Sequence, residues 1–121
     1  MAKRLYDFAL RTVRLVESLP PSRMASRVLG EQLLRAATSV AANYEEARGA
    51  VSPAEFIAKL GITYKECRES VLWLSLIHDA GLLPSQRMKA LLDEARQLRA
   101  VIGSSIKTAK RNRGARRGKE T

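Results

Sequence analysis

At 121 residues the chain has the length of one domain, with 45% apolar and only 5% aromatic residues, which excludes a disordered polymer and favours helices over sheet. A single cysteine, Cys67, excludes an intrachain disulfide, and no apolar run approaches the roughly 20 residues of a membrane-spanning helix. The formal charge of +10 excludes an acidic scaffold and points to anionic partners.

Four segments carry helical periodicity, and none alternates as a strand does. The first runs from about Leu5 to Leu19, with Leu5, Phe8, Ala9, Val13, Val16 and Leu19 on its apolar side. Arg11 and Arg14 interrupt that stretch, so no signal peptide is expected and a cytoplasmic location is. Pro20-Pro21 ends the segment, because proline restricts the residue before it and has no N–H to donate.

The second segment is expected to start at Ser22 as N-cap and to reach about Ala50. Its apolar stripe is Leu29, Leu33, Val40, Tyr44, Ala47 and Val51. Beside it runs a polar stripe, Gln32, Arg35, Ser39, Asn43 and Glu46, within roughly 80° around the helix. Small neighbours such as Ala36 and Ala42 allow another helix to approach closely.

Ser52-Pro53 with Glu55 three residues after the serine forms a capping box and opens the third segment. It runs to about Ala80, where Gly81 is a natural C-terminal cap. One stripe is Phe56, Leu60, Thr63, Cys67, Val71, Leu74 and His78. A second, on another side, is Ile62, Glu66, Glu69, Trp73, Leu76 and Ala80. A helix in an isolated bundle needs one apolar stripe. The second stripes are therefore expected to meet, across helices or between subunits, with Arg35 paired to Glu66 or Glu69 and Trp73 as aromatic anchor.

Pro84 and Ser85 open the fourth segment, expected to end near Lys110 after a core stripe of Leu91, Ala95, Leu98, Ile102, Ile106 and Ala109. Short connections between the segments imply antiparallel neighbours, so the expected fold is an all-α, up-down antiparallel four-helix bundle over residues 1–110. Residues 111–121 are expected to be a disordered basic tail, since Gly114 and Gly118 lie among arginines. Across the bundle's end and this tail, Lys107, Lys110, Arg111, Arg113, Arg116, Arg117 and Lys119 face only Glu120, a net +6. Such a run suits RNA or DNA phosphates through counterion release.

Little else carries chemistry. His78 is the only histidine and, with Cys67, cannot build a zinc site within one chain. No Glu-x-x-His pair or glycine-rich phosphate loop occurs. His78 near the end of its helix reads as a cap, and Cys67 among Thr63, Val71 and Leu74 as a packed small side chain. No catalytic residue, metal or cofactor is expected.

The run from Gln32 to Ala47, QLLRAATSVAANYEEA, resembles the signature of the bacterial 23S rRNA intervening-sequence proteins. Gln32, Arg35, Ala36, Ser39, Asn43 and Glu46 match that pattern, and Ala47 replaces the usual glycine. Ser52, Glu55, Phe56, Leu60, Ile62 and Glu69 match a following block, Leu83-Pro84 matches a turn, and Lys65-Glu66 departs from the common Gly-Ser. The resemblance covers about residues 5–110. It implies a four-helix bundle, a homopentamer and no enzymatic activity. Similar proteins include accessory subunits of diversity-generating retroelements, basic pentamers that contact a reverse transcriptase and nucleic acid. Two readings follow: a homo-oligomer that binds RNA or DNA through basic surface and tail, or an oligomeric adaptor for a protein partner such as a polymerase.

Overall fold

The computed structural model describes residues 1–120, with side chains through Gly118. The described residues form four α-helices: α1 (Ala2–Glu17), α2 (Met24–Arg48), α3 (Pro53–Asp79) and α4 (Ser85–Glu120). They make an up-down antiparallel bundle. Packing is most extensive between α2 and α3, then α3 and α4, then α1 and α2, and α1 meets α4 least. The diagonal pairs do not approach one another among the described residues.

Local sequence sets most of the boundaries. At the end of α1, Ser18 donates its hydroxyl to the Leu15 carbonyl at 2.7 Å, and Pro20 and Pro21 follow. Gly30 lets α2 leave the turn close to α1, since a Cβ there would lie 3.0 Å from Leu19 Cδ1. At α3 the Glu55 N–H donates to Ser52 Oγ at 3.1 Å, while the Glu55 carboxylate accepts from the Val51 N–H at 3.2 Å. The reciprocal half of the capping box thus falls one residue earlier than the motif prescribes. At the other end Gly81 takes φ +67. The Gly81 N–H donates to His78 O and the Leu82 N–H to Ile77 O, which is a Schellman closure.

Three expectations change. Ser22 is not the N-cap of α2: the Arg23 N–H donates back to Pro20 O in a turn, and α2 starts at Met24 with Arg23 as a cap that makes no side-chain bond. Val51 is 91% exposed rather than core, because α2 has ended and helical spacing no longer applies. The fourth helix does not end near Lys110: α4 continues through Arg111–Gly118 to Glu120. Alanine, arginine and lysine are strong helix formers, and two glycines, each about 1 kcal/mol less favourable than alanine, do not outweigh them.

The core is built from Leu5, Phe8 and Leu15 of α1, Leu33, Ala37 and Val40 of α2, Cys67, Leu74 and Ile77 of α3, and Met88, Ala95, Leu98 and Ile102 of α4. Thr12, Thr63 and Ser70 are also buried, each donating its hydroxyl to the carbonyl four residues back. Arg4 fixes the start of α1 against the middle of α4, reaching Glu94 at 2.7 and 2.9 Å and Gln97 at 3.2 Å. Beyond that level only α2, α3 and α4 continue.

Candidate nucleic-acid and assembly surfaces

The second faces of α2 and α3 lie together along the most extensive helix pair. Glu46 of α2 accepts from Lys59 of α3 at 2.7 Å. Asn43 donates to the Ser39 carbonyl at 2.9 Å. Arg35 does not form the expected ion pair with Glu66 or Glu69; its guanidinium donates to Gln32 at 3.0 Å, one turn away on its own helix. Its charge still reaches Glu66. Burial, then the neighbouring Glu69, raise the Glu66 carboxyl above its ordinary value, and Arg35 and Lys65 partly oppose the shift. One Glu66 oxygen, Oε2, and the Trp73 Nε1 are buried without a hydrogen-bond partner. Such groups are destabilising when left unpaired. On the same face Ile62 and Leu76 are each 41% exposed. The face therefore combines apolar bulk with polar atoms that lack partners within the protomer.

The basic residues lie on the second half of α4. Lys107, Lys110, Arg111, Arg116 and Arg117 are exposed and Arg113 is half-buried; Lys119 lies outside the described side chains. None of these six cations forms an ion pair among the described residues. The helix separates them by direction. Arg113 and Arg116 border a cleft of about 430 Å³ with Arg48, Val51, Phe56, Ile57 and Ala109, to which Lys107, Lys110 and Arg111 do not contribute. Of the aromatic side chains, Tyr44, Tyr64 and Trp73 pack against the core, and Tyr6, at 65% exposure, stands far along the sequence on α1. The cationic row thus adjoins one half-buried ring, Phe56 beside Arg113 and Arg116, and no row of stacking rings among the described residues, a composition suited to phosphates rather than bases.

Elsewhere the chemistry is structural. Burial pushes the Cys67 thiol up to about 11, and Cys67 Sγ lies 3.5 Å from the Ala95 carbonyl between α3 and α4. His78 sits 2.9 Å from Asp79 Oδ1 through Nδ1 and 3.2 Å from Ser85 Oγ through Nε2. This Asp-His-Ser chain spans the α3–α4 turn. No sequence signal announced it, because Ser85 reaches His78 only once the turn has closed. The Asp79 side chain is 76% exposed, and the hydrogen-bonded chain links the end of α3 to the start of α4. Among the described residues no group of three or more histidine, cysteine, aspartate or glutamate side chains is placed to hold a metal. No described helix is long and apolar enough to cross a membrane.

Comparison with known proteins agrees with the four-helix bundle. No curated protein matches the chain. Among solved structures, the chain is similar to a protein of unknown function from the S23 ribosomal protein family of Bacteroides thetaiotaomicron. The two share 30% identity with a TM-score of 0.80, over 88% of this chain and 97% of that one. The family model for the 23S rRNA-intervening sequence proteins matches residues 1–104, a span that holds α1, α2, α3 and the first part of α4 and stops before the basic row. The chain belongs to the 23S rRNA-intervening sequence protein family.

Proposed function

We propose that the protein is a non-enzymatic, cytoplasmic homo-oligomer that holds RNA or DNA by phosphate contacts with little sequence preference. The observation that carries this reading is the row of cations on α4, with Lys107, Lys110, Arg111 and Arg117 exposed over about 15 Å of helix. Held on a helix, these charges keep a fixed spacing, and phosphates condense on such an array by releasing their counterions. The excess face of α3 supports self-assembly. A second copy would cover Ile62 and Leu76 and supply partners for Glu66 and Trp73. Repeating the cationic row in each subunit then multiplies avidity without new contacts. A homopentamer is the assembly that the resemblance to retroelement accessory subunits favours.

The test is a titration of labelled single-stranded RNA and duplex DNA at low and moderate salt, with the protein's mass measured by light scattering. An oligomer whose binding weakens steeply with salt and differs little between sequences agrees with the proposal. A monomer, or an oligomer that binds neither ligand at low salt, refutes it and leaves the protein-adaptor reading ahead.

A further inference from the structure

Among the described residues, α1 does not lie alongside the second half of α4. Arg4 holds the start of α1 at Glu94 and Gln97, while α4 runs on to Glu120. At 100° per residue Glu94, Val101, Ser105, Thr108 and Asn112 fall within about 60° of one another. The side of α4 that meets α1 therefore continues past the start of α1. There it borders a cleft of about 570 Å³, which shares Phe56, Ala109 and Asn112 with the 430 Å³ cleft beside Arg113 and Arg116. No α1 residue borders either cleft. Phe56 lies on the same stripe of α3 as the buried Leu60, Thr63 and Cys67, yet is only half-buried, because nothing in the fourth corner covers it.

We infer that this groove docks an amphipathic helix of a partner protein, with carboxylates on the flank that meets Arg113 and Arg116. The groove follows α4 from Val101 to Arg116, about 22 Å or four helical turns. Its α4 wall is mostly small, with Ala100, Ser104, Ser105, Thr108 and Ala109 beside Val101 and Asn112, so a helix can approach closely, as in helix-in-groove recognition. Charge chooses the partner. Arg113 and Arg116 form no ion pair among the described residues, while Arg48 is already held by Glu45 at 2.8 Å. A second copy is assigned to the α3 face in the proposed assembly, and the two arginines without an ion pair make an acidic helix the complementary occupant of this groove. The inference stands apart from the nucleic-acid reading, which rests on the outward cations Lys107, Lys110 and Arg111.

The probe is a labelled peptide of about 18 residues, long enough to form a helix, with leucine and alanine on one face and glutamate on the other. A scrambled peptide of equal composition is the control. The full chain should bind the amphipathic peptide and not the scrambled one. Ser105→Trp, which fills the groove from an exposed helical position, should weaken binding at least about tenfold. It should leave the melting temperature, the oligomer mass and RNA binding unchanged. Phe56→Ala should weaken peptide binding similarly, and replacing Arg113 and Arg116 together with glutamine should weaken it and remove its salt dependence. Equal binding of the two peptides overturns the inference, as does wild-type affinity in Ser105→Trp. A changed oligomer mass in Ser105→Trp also overturns it, since the occupant would then be a second copy.

Discussion

Single residues show where charge stabilises the protomer and where it does not. The Arg4 guanidinium holds the Glu94 carboxyl below its ordinary value, chiefly through their hydrogen bonds. A carboxyl held low contributes stability that is present above its unfolded value near 4.5 and lost as the pH falls through the folded value. Arg4→Ala should therefore lower stability at pH 7 by about 1 kcal/mol, a modest figure because the pair is partly exposed. The loss should shrink towards zero in acid, which denaturant unfolding at pH 7 and pH 3 would show; an equal loss at both would assign the effect to packing. Glu66 has the opposite sign. Its carboxyl is raised by burial and by Glu69, so within the protomer it favours the fold in acid and opposes it once ionised. Evidence of that conflict was absent from the sequence, where Arg35 stood as the obvious partner. The guanidinium is instead engaged by Gln32 on its own helix, a local contact that needs no second helix to be brought into register.

Elements are where the sequence was most legible. Ser52, Pro53 and Glu55 marked the start of α3, and Gly81 its end, because each acts through backbone geometry that needs no tertiary context. Ser52→Ala should cost about 1 kcal/mol, through the lost bond to the Glu55 N–H. Gly81→Ala should cost about 1 to 2 kcal/mol, through the left-handed backbone at φ +67. Urea unfolding checks both, and a neutral Gly81→Ala would contradict the closure described for α3. The start of α2 was misread for a physical reason: Ser22 has the right side chain, but the turn made by Pro20 and Arg23 delays the helix by one residue. The end of α4 was misread because charge density and two glycines suggested disorder, whereas the intrinsic preference of arginine, lysine and alanine carries the helix onward.

At the scale of the whole molecule, periodicity revealed the four-helix bundle and the surplus faces of α2 and α3. It could not show that α1 falls short of α4, since that depends on how the Arg4–Glu94 contact sets the level of α1. The same offset leaves Phe56 half-covered and separates the cations of α4 into those facing a groove and those facing outward. In the proposed function the outward cations hold nucleic acid by its phosphates. That role is read from the slope of log affinity against log salt for duplex DNA, compared between the full chain and a variant with Lys107, Lys110 and Arg111 replaced by glutamine. Each phosphate contact contributes a slope of about −0.9, so the variant should bind more weakly and its slope should be shallower by about 2 to 3 per subunit engaged. An unchanged slope, with affinity intact, would contradict the claim and move the binding surface away from α4.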